Sequence, residues 1–156
     1  MHALFMALAH SHLGHTMQAS KWDFAIVEMV HLVALAILGG SVLVVDLRLL
    51  GVILKGESAR TIGRDLGRLL LGSLLVMVVS GIALLSEEAG KCYYSPAFRL
   101  KMVLLAAAVA FHFTLHRKAL EQTGTGEPNL WSRTAALTSL TLWLAVGVAG
   151  RAIGLL

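Results

Sequence analysis

Cysteine is almost absent. Cys92 is the only one, so the chain can form no internal disulfide and carries no CxxC pair for metal or thiol redox chemistry. Charge is scarce as well: 14% of residues are charged against 57% hydrophobic, with a mean hydropathy of +0.78. That balance lies far outside the composition of a soluble globular domain. Proline occurs twice, at Pro96 and Pro128, and both fall between apolar runs. No Ser/His/Asp triad, phosphate loop or nucleotide fingerprint is present. The net charge of +4 and pI near 9.6 bring no basic, aromatic-interleaved groove with them, which argues against nucleic acid. Repeats, low-complexity tracts and a second domain are lacking too.

What remains is four apolar runs in one transmembrane domain spanning 1–156, with spans expected at 24–48, 66–87, 97–117 and 130–153. Each is long enough, at about 1.5 Å per residue, to cross or nearly cross a hydrocarbon core of roughly 30 Å. Residues 1–20 have an apolar run without a basic leader and read as a short interfacial helix, with His10, His12 and His15 near the water. Ser58 and Thr61 are candidate caps for the second helix, and Pro96 suits the first turn of the third. The expected fold is therefore all-α: an up-down, integral membrane four-helix bundle. The connections following the first and third spans carry eight of the thirteen Lys and Arg, which places them in the cytoplasm and both termini outside. Trp22, Tyr93, Tyr94 and Trp131 fall near the span ends as interfacial anchors in the lipid bilayer.

Polar residues inside the spans are not scattered. Turning 100° per residue, Glu28, His31, Gly39 and Asp46 share one face of the first helix. Ser73, Met77, Ser80, Leu84 and Glu87 share one face of the second, and Lys101, Leu105, Ala108, His112 and His116 one of the third. In the fourth, one face holds Arg133, Leu137, Leu140, Leu144, Gly147 and Arg151. Ionisable groups within a span are expensive in lipid and are expected to face the bundle interior. Counting depth from each helix start groups them in two layers. Glu28, His31, Glu87, Glu88, Lys101 and Arg151 lie towards the outer boundary, and Asp46, Arg48, His112, His116 and Arg117 towards the inner one.

These layers admit several readings. Two ionic layers could simply pin helix register, Glu28 with Lys101 or Arg151 and Asp46 with His112. The leading functional reading is haem b and electron transfer, with His31 and His112 as favoured axial ligands and Met77 and Met102 as alternatives. Lys101 and Arg151 would hold the propionates, and Gly39 would let the macrocycle approach. His31 and His112 differ in depth by roughly 6 to 12 Å, whereas Met102 is nearly level with His31 but points about 100° away from Lys101, off the inward face. A second reading is copper, cation or proton handling through Glu28, His31, His112 and His116, fed from His10, His12 and His15. A third is a non-catalytic accessory subunit of a larger membrane complex. A redox partner and a homo-oligomer are both compatible with these readings.

The combination of Glu28-Met29-Val30-His31, Gly39-Gly40, Asp46-Leu47-Arg48-Leu49-Leu50-Gly51, Tyr94-Ser95-Pro96-Ala97-Phe98-Arg99-Leu100-Lys101 and Gly150-Arg151 resembles a family of small four-span bacterial inner-membrane proteins of unknown function. That family is broadly similar to the copper-resistance CopD type. The likeness runs from Trp22 to Leu156 and implies a bacterial inner-membrane location and a four-helix bundle. Helix three in the family often ends in Phe-His, a position that either His112 or His116 could fill here.

Overall fold

The computed structural model describes residues 21–87, 95–123 and 127–153. His10, His12, His15, Glu88, Cys92, Tyr93 and Tyr94 lie outside them, as does the expected interfacial helix. Among the described residues the chain is helical and without strand, and four helices are long and apolar enough to cross a membrane. α1 spans Lys21–Leu49 and α2 spans Ala59–Glu87. The third span is α3 (Pro96–Phe111), a π-helical turn (His112–His116) and α4 (Arg117–Thr123) in one continuous rod. α5 spans Leu130–Ala152.

Local chemistry accounts for the boundaries. Ser95 caps α3 by accepting from the Phe98 amide at 3.3 Å, with Pro96 following in the first turn. Asn129 caps α5 by accepting from the Ser132 amide at 2.8 Å. α2 begins at Ala59, seven residues before the start expected from hydropathy, because Arg60, Arg64 and Asp65 are exposed and need only to leave the hydrocarbon, not the helix. The Ser58 carbonyl accepts the first intrahelical bond from the Ile62 amide, which sets Ser58 at the cap position. The third span continues to Thr123 for the same reason.

The Asp-Leu-Arg-Leu-Leu-Gly stretch is a helix terminator. The Gly51 amide donates to the Arg48 carbonyl at 3.0 Å and the Val52 amide to that of Leu47 at 2.9 Å, the pair of bonds that defines a Schellman motif. Gly51 has φ +76°, and a Cβ there would stand 3.0 Å from Pro128 Cγ, so both conformation and space call for glycine.

α1 packs chiefly on α2, α3 packs chiefly on α5, and α1 meets α5 between the two pairs. α2 touches α4, but has at most marginal contact with α3. The bundle is therefore closed at the inner end and parted between α2 and α3 towards the other. At the closed end Val45, Leu49, Ala59, Leu120 and Ala136 form the apolar core, with Leu50, Ile62 and Leu66 against it. Gly63 lets Leu120 in: a Cβ on it would stand 2.7 Å from Leu120 Cδ1.

α5 corrects one expectation. Its buried side is Ser132, Ala135, Ala136, Ser139, Val146 and Ala149, while Arg133, Leu137 and Leu144 of the anticipated face are exposed. In lipid, leucine gains nothing by turning inwards, and small residues win the helix contact because they let backbones approach.

Candidate functional site

Where α2 and α3 part, a cleft opens. It has two lobes of about 370 and 200 Å³ that share His31, Leu35, Met77, Gly81, Leu85, Lys101, Val146 and Gly147. Such a volume suits a small organic ligand or cofactor. The larger lobe adds Phe24, Glu28 and Arg151 at its polar end, and the smaller runs between the helices to Gly39, Met102, Leu105 and Trp143. Thus α1 contributes Glu28, His31 and Gly39, α2 contributes Met77, α3 contributes Lys101 and Met102, and α5 contributes Arg151. Glu28 and Arg151 line the same lobe without an ion pair between them. A Cβ on Gly39 or on Gly147 would meet nothing within 4 Å, so neither glycine is required by a neighbour among the described residues and both leave open wall.

Among the described residues His31 is the one imidazole on the cleft, and its protonation is legible from its partner. His31 Nδ1 lies 2.8 Å from Ser80 Oγ, and Ser80 Oγ lies 2.6 Å from the Val76 carbonyl oxygen. A hydroxyl has one hydrogen; spent on Val76 O, it leaves Ser80 Oγ to accept from His31 Nδ1–H. The neutral ring then carries its lone pair on Nε2, which has no hydrogen-bond partner among the described residues. Fixing one ring N–H so that the other nitrogen is free is how proteins present an imidazole to a metal. Gly81 makes room beside it, since a Cβ there would reach ordinary contact with His31 Cε1 at 3.5 Å.

At the inner end is a different arrangement. Asp46 and His116 are both wholly buried, with His116 Nε2 donating to Asp46 Oδ1 at 2.6 Å. The His112 ring stacks on that of His116, centroids 4.9 Å apart and planes 25° from parallel. The pairing expected for Asp46 was with His112, and the structure gives it to His116 instead. A π turn separates the two histidines on this helix, and their rings stand one over the other across it. Ser139 of α5 faces the same carboxyl without reaching good hydrogen-bond geometry. Among the described residues Asp46 Oδ2, His112 Nδ1, His116 Nδ1 and Ser139 Oγ are buried polar atoms without partners. Arg48, 1% exposed, donates its Nε to the Glu57 carbonyl at 2.8 Å and leaves Nη2 without a partner.

Of the seven residues picked out for a cofactor, His31, Met77, Met102, Lys101, Arg151 and Gly39 all line the cleft. His112 does not; it belongs to the inner cluster, so the structure does not bring the favoured pair His31 and His112 onto one cavity. The candidate metal residues His31, Glu28, His112 and His116 do not converge either: among the described residues no three of His, Cys, Asp or Glu are placed to hold a metal ion. Ser139 escaped sequence reasoning altogether. Its signal was the seven-residue spacing Ser132, Ser139, Val146, matching Ser73 and Ser80 on α2, which marks small residues on a buried stripe.

Fold and site define a small multi-pass membrane protein with a cleft on one side of its bundle and a closed polar cluster at the other end. The chain belongs to DUF6644, a family of unknown function whose model matches residues 5–156. No curated protein and no solved structure matches it, so the likeness to the CopD type rests on the quoted motifs alone.

Proposed function

We propose that the cleft binds b-type haem and that the protein transfers electrons within the membrane. The observation that carries this is the His31–Ser80–Val76 chain, which aims an unprotonated imidazole nitrogen at an apolar cleft. The residues fit the group in kind. His31 would hold the iron, and Met77 and Met102, on two other helices of the cleft, are further candidate donors. Gly39 and Gly147 leave flat wall for a planar ring, and Lys101 and Arg151 put cations at the polar end where carboxylates would lie. Haem would supply a one-electron iron couple. The protein's own part is to fix the imidazole, exclude water with Leu35, Leu85 and Val146, and neutralise the acidic edge of the ligand.

The test is an absorption spectrum of the detergent-purified protein, expressed with ample haem, as isolated and after dithionite. A Soret band with sharp reduced α and β bands is expected, and His31→Ala should abolish it. A featureless wild-type spectrum, or unchanged haem content in His31→Ala, sinks the reading.

The inner cluster favours a second activity, proton handling. A fully buried carboxylate bonded to a fully buried imidazole is a rare and costly feature in a membrane span, and Asp and His within spans build proton relays in pumps and transporters. In vesicles loaded with a pH-sensitive dye, wild-type protein should dissipate a pH gradient faster than Asp46→Asn; equal rates would remove this reading.

A further inference from the structure

On the membrane-facing side of the α1–α2 pair, remote from the cleft, lies a groove of about 470 Å³. Its floor is Ala34, Gly72 and Ser73, its walls are aliphatic, and it runs from Arg68 to Val76 on α2, about 12 Å at 1.5 Å per residue. A Cβ on Gly72 would meet nothing within 4 Å, so none of the described residues fills the trough at that point. One end is cationic. Arg68 lines the groove and is exposed, and Arg64 and Arg60 continue from it at four-residue steps, on one stripe of α2. Asp65 is the one acidic residue among them, and neither it nor any of the three arginines forms an ion pair among the described residues. Like charges stacked four apart repel, and an anion lying along the stripe would relieve that repulsion.

We infer that this groove is a binding site for an anionic phospholipid, one acyl chain lying over Ala34 and Gly72 and the phosphate held by the Arg68 guanidinium, with Arg64 one turn behind. Arg68 is the last charge before α2 turns apolar through Ser86, which puts the cation at the polar edge of the bilayer, where a lipid phosphate sits. The planar fork of arginine can hold the phosphate of any phospholipid, but the quaternary ammonium of a choline headgroup would be repelled by the same arginines, so a headgroup with net negative charge is the better occupant. A second copy of this chain is a poorer occupant. Two-fold packing about the membrane normal through this groove would set each copy's Arg68 against its mate at the same depth.

The experiment is native mass spectrometry of the full chain in detergent, with phosphatidylglycerol and phosphatidylcholine of identical acyl chains added in turn. Phosphatidylglycerol adducts should outnumber those of phosphatidylcholine, and Arg68→Gln should cut the preference about fivefold. Gly72→Leu, which fills the floor, should reduce retention of both lipids. Because Arg68 is exposed, its replacement should leave the helical circular dichroism unchanged; were it to unfold the chain, Arg64→Gln reads the same contact. Equal retention of the two lipids by wild type, or a preference untouched by both arginine variants, overturns the inference. So does a dimer that Gly72→Leu converts to monomer, which would assign the groove to a second copy.

Discussion

The two ends of this bundle solve the same problem in opposite ways. Both hold ionisable groups at membrane depth. At the inner end they are sealed: Asp46 and His116 meet at 2.6 Å, wholly buried, above a core of Val45, Leu49 and Leu120. Towards the other end they line open space, with Glu28, His31, Lys101 and Arg151 around a cleft that no side chain of the described residues fills. The glycines tell the two apart. Gly51 and Gly63 are tight against Pro128 and Leu120, whereas Gly39 and Gly147 have nothing within 4 Å. One end is closed by packing and the other leaves open wall, and that contrast is why the proposed ligand is assigned to the cleft.

That contrast can be broken by substitution. The largest effect should come from Asp46→Ala, which strands His116 in the closed end and should cost about 3–5 kcal/mol, seen as a lower thermal midpoint in detergent. If the midpoint is unmoved, the inner cluster is not what holds the bundle together. Next comes Gly51→Ala, which forces a left-handed residue against Pro128 and should cost about 1–2 kcal/mol in the same measurement. On the cleft side, Ser80→Ala should leave the midpoint within about 1 kcal/mol of wild type, yet weaken haem retention about 10- to 100-fold by freeing the His31 tautomer. A haem titration that shows equal affinity would mean the Ser80 bond does not govern ligation. The smallest effect belongs to Gly39→Ala: no loss, and up to about 1 kcal/mol gained from helix propensity, read from the same melt. A clear loss there would show that the cleft wall is packed after all.

Composition alone fixed the class. Four apolar runs with the polar residues of α1 and α3 on single faces leave little choice but a membrane bundle, because ionisable groups cannot turn to lipid. The same argument, from depth and face along each helix, points His31, Met77, Lys101, Arg151 and Gly39 inwards, and these line the cleft; Met102 lines it too, although its angle about 100° from Lys101 points elsewhere. It failed on α5, where leucines were taken for the inward side although lipid accepts them equally, and on His112, where the regular 100° turn it assumed is interrupted by a π turn. Neither error could be mended from the sequence. Which helices stay apart, whether His112 or His116 meets Asp46, and whether Ser80 spends its hydrogen on Val76 are decided only when four rods pack, because each depends on distances between residues far apart in the chain. Periodicity says which way a side chain points from its own helix axis; it carries no information about what stands opposite.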